Sequence, residues 1–410
     1  MNEKSLRCKE CSAEYELDAS FVCSECFGPL EVSYDFSGLD AGEARRRIQA
    51  GPHTIRRYAD FLPIGVASAD PLCTGMTPLI KADLLAERLG LEEVWIKNDA
   101  ANPTHSFKDR VVSVALARAR ELGFETVACA STGNLANAVA AHASAGGFES
   151  YVFVPSNLEE QKLLATGIYN TELVGVRGTY DDVNRLCTEL SQARPWAFVN
   201  VNLRPYYSEG SKTLAYETIE QLGWELPDRV ICPVASGSLF TKIARGMSEW
   251  LDLGLVEGDL PAFSGAQASG CSPVATAFAE GHEVCRPQKP DTIAKSLAIG
   301  NPADGIYALE LARQTGGSVD SVTDDEIRAG IKLLAETTGV FTETAGGVTI
   351  ATLAKLAREG RFDPTERVVA YITGDGLKTL DATRESFEMS EIDPDVQSFE
   401  EEVEAVGAVS

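Results

Sequence analysis

The sequence has no long apolar run. None of its apolar stretches reaches the roughly 18 residues that a membrane-spanning helix needs, so we expect no membrane partner. The opening residues 1–5 have no apolar stretch behind them, which predicts that there is no signal peptide. A cytoplasmic location is the expectation that follows.

Positive charge is scarce. The chain has 36 lysine and arginine residues against 61 aspartate and glutamate residues, and its net charge is −25. Such a chain repels the phosphate backbone of a nucleic acid, so no nucleic-acid partner is expected. The acidic residues are spread along the whole chain, which favours adaptation to high internal salt over simple solubility.

The sequence also has no fixed-period repeat, and it is long enough for two or three structural units. From about residue 90, apolar strand-like runs alternate with helical patterns, as in 126–130 followed by 135–145, and further helices are expected over 106–122 and 209–222. This alternation predicts an α/β protein whose sheets are mostly parallel and are covered by helices on both faces. After residue 385 the chain becomes acidic, which is typical of a solvated surface tail at 386–410.

Four of the ten cysteines form two hooks, Cys8-x-x-Cys11 and Cys23-x-x-Cys26. Each hook can direct two sulfur atoms at one cation, and two hooks complete a tetrahedron. Disulfides fit less well because the chain has no secretion signal, and an abandoned site is the other alternative. We therefore expect a structural Zn²⁺ in a small ribbon at residues 1–35, which is too short to hold a core without metal.

Lys108 lies between Phe107 and Asp109, after a polar turn and at the start of a helical pattern. A lysine that forms a Schiff base needs a fixed backbone, partial burial that lowers its pKa, and a carbonyl cofactor nearby. The simpler interpretation is a surface lysine at a helix start. Residues 102–110 resemble the lysine motif of the threonine synthase group, and the further motifs given below, together with this one, favour the Schiff-base lysine. The members of this group are fold type II, tryptophan synthase β-like enzymes that depend on pyridoxal phosphate (PLP).

The resemblance has one departure inside this motif. The family usually has glycine where this chain has His105. The histidine is expected either to cap or pack the turn or to reach the site. Further matches follow in family order as far as Lys378, and 293–302 resembles a phrase of the threonine synthases in particular.

Two turns between a strand and a helix are candidates for binding anions. Ser131, Thr132 and Asn134 belong to the first, and backbone N–H groups with short hydroxyls suit a carboxylate there. The resemblance implies that Asn134 contacts the PLP 3′-oxygen and that Ser131 and Thr132 hold the substrate carboxylate. The second turn is expected to bind the PLP phosphate; its residues are Ala235, Ser236, Gly237, Ser238 and Leu239.

Other site residues follow from the resemblance. Thr373 matches the hydroxyl residue that hydrogen-bonds the pyridine nitrogen, and Glu343 is either structural or bounds the PLP face. In 202–213 the arginine expected to bind substrate phosphate falls on Tyr207. Arg204 or Lys212 is expected to replace it.

The resemblance implies two three-layer αβα domains and an N-terminal zinc ribbon. The larger, PLP-binding domain would comprise 36–100 and 206–385, and the smaller one 101–205. The implied reaction converts O-phospho-L-homoserine and water to L-threonine and phosphate, by γ-elimination and β-addition with Lys108 as the catalytic base. A homodimer and a small-molecule substrate are the expected partners. Alternatives are cysteate synthase, another fold type II lyase such as a dehydratase, and a non-catalytic ribbon-bearing binding protein.

Overall fold

The structure is a computed structural model that describes residues 4–158, 160–384, 387 and 389–401. Residues 386, 388 and 402–410 of the expected acidic tail lie outside the described residues. The strands, in chain order, are β1 Lys4–Cys8, β2 Glu14–Tyr15, β3 Leu30–Tyr34, β4 Leu79–Lys81, β5 Glu93–Asn98, β6 Thr126–Ala130, β7 Glu149–Pro155, β8 Glu172–Val176, β9 Ala197–Phe198, β10 Arg229–Pro233, β11 Ala262–Ala268, β12 Ser318–Val322 and β13 Arg367–Ile372.

Helices cover these strands. They are α1 Ala41–Ala50, α2 Asp83–Leu89, α3 Lys108–Glu121, α4 Asn134–Gly146, α5 Glu160–Gly167, α6 Tyr180–Ala193, α7 Arg204–Glu209, α8 Lys212–Gln221, α9 Ser238–Asp252, α10 Pro273–Ala279, α11 Gly305–Gln314, α12 Asp324–Thr338, α13 Thr344–Arg358 and α14 Val396–Phe399. Short 3₁₀ segments occupy Ile55–Phe61, Asp99–Ala101, Lys295–Leu297 and Gly376–Thr383. No helix in the described ranges combines the length and apolarity that a bilayer crossing requires.

The larger sheet has six strands in the order β12-β11-β10-β13-β5-β4. All neighbours pair in parallel except β4, which is antiparallel to β5. In β10, Val230 and Cys232 belong to one apolar core and Ile231 to the core on the opposite face. Successive side chains of a strand point to opposite faces, so both faces of this sheet are buried.

The smaller sheet has the order β8-β7-β6-β9, and its pairs are parallel. In β6, Val127 and Cys129 face one core while Ala128 and Ala130 face the other. The predicted α/β class with two helix-covered parallel-rich sheets is therefore confirmed. The limits of the expected domains stay a prediction.

The N-terminal residues form a third, small antiparallel sheet, β2-β1-β3. Its buried side chains, among them Leu6 and Val32, join the core that also contains Val111 and Val112 of α3. The ribbon thus packs against the helix that begins at Lys108.

Two helix predictions need correction. The helix expected from Ser106 begins at Lys108, because Ser106 pairs with Gly374 as an isolated antiparallel bridge. The helix expected over 209–222 is divided into α7 and α8 around Gly210. A Cβ at Gly210 would lie 2.5 Å from the carbonyl oxygen of Arg110, so this break lets α3 approach closely.

Candidate active site

The segment before Lys108 runs antiparallel to the turn after β13. The backbone N–H of Phe107 donates to the carbonyl of Thr373 over 3.0 Å. Ser106, whose hydroxyl is buried, forms a bridge with Gly374 in the same place. The structure therefore brings together two of the predicted site residues, Lys108 and Thr373, although 265 positions separate them in the sequence.

His105 occupies this segment with a backbone φ of +61°, in the left-handed region that glycine adopts easily. Its N–H donates to the Asn102 carbonyl over 2.8 Å, and its carbonyl accepts from the Asp375 N–H over 3.1 Å. The side chain is exposed, which argues against the packing alternative. This chain therefore has a histidine in a left-handed backbone conformation at the position where the family usually has glycine.

Asp109 fixes the turn that precedes Lys108. Its carboxylate accepts from the backbone N–H of Thr104 over 2.8 Å and from the Thr104 hydroxyl over 2.9 Å. His142 of α4 contacts the same carboxylate through Nε2 at 2.9 Å. All three residues are buried, so α3 starts at a fixed position relative to α4.

A buried ion-pair network, not expected from the sequence, lies one step further along α3. Arg110 donates from Nε to Asp99 over 2.7 Å and from Nη2 to Glu217 over 2.7 Å. Lys97 Nζ lies 2.8 Å from Glu217, and all of these side chains are fully or almost fully buried. Burial alone would raise the pKa of Glu217, but the charges of Arg110 and Lys97 lower it to about 2. The network ties α3 to β5 and α8.

The amine of Lys108 forms a hydrogen bond with one side chain among the described residues. Its Nζ donates to the hydroxyl of Tyr207 over 2.7 Å, and it lies 4.4 Å from the ring centroid of Phe107. Lys108 is half-buried at the first position of α3, and Tyr207 belongs to α7. The residue that replaces the family's arginine therefore contacts the predicted catalytic amine directly.

Asn134, at the start of α4, joins two other side chains of the site. Its Nδ2 donates to Glu343 Oε2 over 3.0 Å, and its Oδ1 accepts from Lys378 Nζ over 2.8 Å. Burial raises the pKa of Glu343 and lowers that of Lys378. A Cβ at Gly374 would lie 2.5 Å from the Glu343 carboxyl carbon, so this turn needs glycine. Glu343 thus contacts the predicted cofactor-binding amide, and its role toward the cofactor stays a prediction.

Ser131 and Thr132 lie in the turn between β6 and α4, immediately before Asn134. Ser131 is buried and Thr132 is half-buried. The backbone N–H groups in the first turn of α4 have no partner within the helix, so this end favours an anion. The pair is placed where a carboxylate near Asn134 would meet it.

The turn at 235–239 lies at the same edge of the large sheet as the turn after β13. β10 and β13 are parallel neighbours, so the segments after their carboxyl ends are adjacent. Gly237 has a φ of +99°, and a Cβ there would lie 2.7 Å from the carbonyl oxygen of Asp304. α9 begins at Ser238, and its free N–H groups face the turn.

Arg204 lies near this turn. Its Nη2 donates to Asp304 over 3.2 Å, and the backbone N–H of Asp304 donates to the carbonyl of Ser236 over 2.8 Å. Arg204 and Tyr207 are three residues apart in α7, so their side chains lie on the same side of the helix. The side chain of Arg204 is 41% exposed, which leaves its guanidinium accessible to a ligand.

The prediction for Lys212 needs correction. Its side chain has no exposed surface, and its Nζ lies 2.7 Å from Glu209 and 2.9 Å from Glu249. The same Nζ lies 4.1 Å from the ring centroid of Tyr34, which comes from the ribbon. A substrate phosphate has no access to an ammonium group that is enclosed in this way, so Lys212 is structural.

The four hook cysteines converge at the other end of the ribbon. Their sulfur atoms all lie within 4.8 Å of one another, and the pairs Cys8–Cys26 and Cys11–Cys23 are 3.5 Å apart. Four thiolates around one Zn²⁺ would be about 3.8 Å apart, given a Zn–S distance of roughly 2.3 Å. A hydrogen bond with Tyr15 is the main reason that the pKa of Cys23 is lowered to about 6, whereas the pKa values of Cys11 and Cys26 in the same cluster are raised.

Comparisons with known proteins identify the family of this chain. A family model described as pyridoxal-phosphate dependent enzyme matches residues 71–374. The threonine synthase of Methanocaldococcus jannaschii is 37% identical over 379 residues, which cover 92% of this chain and 93% of that protein. The threonine synthase of Methanosarcina acetivorans is 36% identical and covers 91% of this chain and 92% of its own.

Solved structures resemble the fold at lower identity. The processed form of threonine deaminase isoform 2 from Solanum lycopersicum matches with a TM-score of 0.63 and 23% identity, over 84% of this chain and 87% of that chain. Diaminopropionate ammonia lyase from Escherichia coli matches with a TM-score of 0.64 and 18% identity, over 84% and 90%. At these identities the structures support the fold alone.

Proposed function

We propose, since the chain belongs to the family of pyridoxal-phosphate dependent enzymes and within it to the threonine synthases, that it converts O-phospho-L-homoserine and water to L-threonine and phosphate. The observation that carries this proposal is the convergence of the Lys108 segment and the turn after β13. Lys378 links Asn134 to this place, because its Nζ donates both to Asn134 Oδ1 and to the carbonyl of Thr104. The non-catalytic alternative would not need a half-buried lysine in this setting.

The residues present fit PLP. Lys108 offers the amine that would hold the cofactor aldehyde, and the turn at 235–239 offers helix N–H groups and a glycine cradle for its phosphate. The buried hydroxyl of Ser106 has no hydrogen-bond partner among the described residues, as expected beside an absent polar ligand. Asn134 would face the ring oxygen and Thr373 the ring nitrogen. When bound, PLP withdraws electrons from the substrate and so acidifies its α- and β-hydrogens.

Lys108 is the proposed general base. As a neutral amine, its Nζ takes the proton from the substrate α-carbon and carries it as an ammonium. The Tyr207 hydroxyl can donate to the neutral amine and accept from the ammonium, because a hydroxyl group rotates to suit its partner. Tyr207 therefore holds Nζ in place through both protonation states.

Substrate binding divides between the two ends of the amino acid. Ser131 and Thr132, at the start of α4, are proposed to bind its carboxylate. Arg204 is proposed to bind its phosphate, because the guanidinium is accessible and can form two parallel hydrogen bonds with phosphate oxygens. A β-hydrogen then leaves as a proton and phosphate departs with the electron pair of its bond to the γ-carbon. A proton returns to the γ-carbon, which becomes the methyl group. Water adds its hydroxyl at the β-carbon, a proton returns to the α-carbon, and the remaining proton of the water balances the charge of the released phosphate.

The hook cysteines are proposed to hold one structural Zn²⁺ through Cys8, Cys11, Cys23 and Cys26. Four thiolates close the coordination sphere and leave no position for a reactant, so this site has no part in the chemistry. The sulfur–sulfur distances support a four-cysteine metal site better than they support two disulfides, since all four cysteines are free and mutually close.

A product assay tests the proposed function. The full chain, loaded with PLP in molar KCl, is offered O-phospho-L-homoserine in one reaction and phosphoserine with sulfite in another. Threonine and phosphate are expected from the first in equal amounts, and no cysteate from the second. Lys108→Ala is the blank. Cysteate without threonine would replace the proposal with cysteate synthase. If neither product forms, both candidate functions are refuted.

The expected cytoplasmic location and homodimer are kept as proposals. Light scattering coupled to size exclusion at molar KCl would measure the mass of the particle. A mass near 88 kDa, twice the chain mass of 44.0 kDa, is the expected result.

A further inference from the structure

The first cysteine hook contacts helix α11 through Lys9 and Glu10, the two residues that lie between its cysteines. The hydroxyl of Tyr307 donates to Glu10 Oε1 over 2.6 Å. Lys9 Nζ lies 3.1 Å from the centroid of the Tyr307 ring. Burial and then the bond to Glu10 raise the pKa of Tyr307, so its hydroxyl keeps the proton that it donates.

Tyr307 lies at the start of α11, next to the proposed phosphate turn. Asp304, the residue before this helix, donates its N–H to the Ser236 carbonyl over 2.8 Å and accepts from Arg204 over 3.2 Å. Its carbonyl lies so close to Gly237 that a Cβ there would collide with it. A shift of the first turn of α11 would therefore move both the phosphate turn and the partner of Arg204.

A second contact reaches the other helix at this turn. Glu31 of β3 lies 3.1 Å from Lys9 and 3.5 Å from Lys242 of α9, the helix that begins at Ser238. Lys242 is buried and lies 2.7 Å from Glu209. Burial alone would raise the pKa of Glu31, but the charges of Lys242 and Lys9 outweigh this effect. The pKa is lowered as a result, so the carboxylate is charged. The ribbon thus contacts both helices that flank the turn.

We propose that the N-terminal ribbon is a strut for the cofactor-phosphate turn, and that Tyr307 is the positioning residue that transmits its placement. Metal held by the hooks fixes Lys9 and Glu10, these fix the first turn of α11, and Asp304 then fixes Ser236 and Arg204. The inference rests on the proposed function, since it takes 235–239 as the phosphate turn. It gives the ribbon a role inside the enzyme that needs no external partner.

A double-mutant cycle tests the strut. The variants are Glu10→Ala, Tyr307→Phe and the combination, and the main readout is the dissociation constant for PLP of the apoenzyme. Each single variant is expected to weaken PLP binding about fivefold, and the double variant no more than either, because all three lose the same hydrogen bond. KM for phosphohomoserine is expected to rise more than kcat falls, since Arg204 shares Asp304 with the turn.

The matched control is another tyrosine–glutamate pair in the smaller sheet. The Tyr151 hydroxyl donates to Glu149 Oε1 over 3.0 Å, and Tyr151→Phe and Glu149→Ala are expected to leave PLP affinity unchanged. Glu10 is exposed, so Glu10→Ala keeps the test valid even if Tyr307→Phe fails to fold.

The outcomes separate the two proposals. A wild-type chain that binds PLP, with Glu10→Ala binding it equally well, would overturn the strut and leave the proposed function intact. Additive losses in the double variant, or equal losses in the control pair, would overturn the strut as well. A wild-type chain that binds no PLP would refute the proposed function and the strut with it.

Discussion

Lys108 and Tyr207 are joined by one hydrogen bond, from the lysine Nζ to the phenol oxygen over 2.7 Å. We expect Tyr207→Phe to lower kcat about tenfold, which corresponds to the loss of one hydrogen bond of about 1.4 kcal/mol in the transition state. KM for phosphohomoserine should change little, because the phenol does not hold the phosphate. Steady-state kinetics at saturating PLP measures both constants.

The adjacent tyrosine is the control for this prediction. Tyr206 donates its hydroxyl to the backbone carbonyl of Asp18 in the ribbon, away from Lys108. Tyr206→Phe removes the same atom from the same helix and is expected to retain the wild-type kcat. Equal losses in both variants would show that the phenol of Tyr207 acts only through the stability of α7.

Arg204→Leu tests the phosphate-binding assignment. We expect KM for phosphohomoserine to rise about tenfold or more, because a charge-assisted contact with the phosphate is lost. The control is Arg185→Leu, at a position that is 67% exposed on α6 and pairs with Asp182 and Glu189 of the same helix. An unchanged KM in Arg204→Leu would assign the phosphate to another cation.

The buried network predicts a loss of stability in acid. The pKa of Glu217 is about 2 in the folded chain against an ordinary value of 4.5. A lowered pKa means that its contribution is complete above about pH 5 and is lost as the pH falls toward 2. Urea unfolding between pH 7 and pH 3 should show a decreasing free energy of unfolding.

Glu217→Gln separates this group from other carboxylates. The variant should be less stable at pH 7, since Arg110 and Lys97 lose the negative charge they share, and its stability should depend less steeply on pH. A variant with the same pH slope as the wild type would assign the acid effect elsewhere, for example to Glu209, whose pKa is also lowered to about 2.

Metal removal should unfold the ribbon. We expect one zinc per chain by elemental analysis, and a lower thermal midpoint after chelation or in Cys11→Ser. Cys73→Ser is the control because Cys73 is an exposed cysteine outside the cluster. Full zinc content in Cys11→Ser would contradict the four-cysteine site.

The charge balance predicts a strong response to salt. With a net charge of −25, the folded chain repels itself at low ionic strength, and salt screens this repulsion. The midpoint of thermal unfolding should therefore rise steeply between 50 mM and molar KCl. A flat response would contradict adaptation to high salt.

The sequence could predict the parts of the site that follow strand ends. Asn134 and Gly237 lie in or beside short turns of small or polar residues that follow an apolar run and precede a helix. Thr373 was predicted by the family resemblance, and it follows β13, the parallel neighbour of the strand before Gly237. The alternation of apolar runs and helices likewise predicted the class of fold. These features depend on local patterns that a single chain displays.

The remaining features depend on pairs that are distant in sequence. Arg110 and Glu217 are 107 positions apart, and no local pattern links them. Lys212 failed as a substrate ligand for the same reason, because its enclosure by Glu249 and Tyr34 comes from elements that only the tertiary fold brings together. A single lysine in a helical pattern is expected to face solvent.

The contact between Tyr34 and the core charges has a consequence for engineering. Its hydroxyl donates to Glu209 over 2.6 Å while its ring covers the ammonium of Lys212. A truncated version without the first 35 residues would expose the charges of Glu209 and Lys212, which are buried in the full chain. A ribbon taken from another protein would need an aromatic residue with a hydroxyl group at the position of Tyr34. The N-terminal ribbon therefore cannot be removed or exchanged independently of the domain that it covers, although it forms a separate sheet.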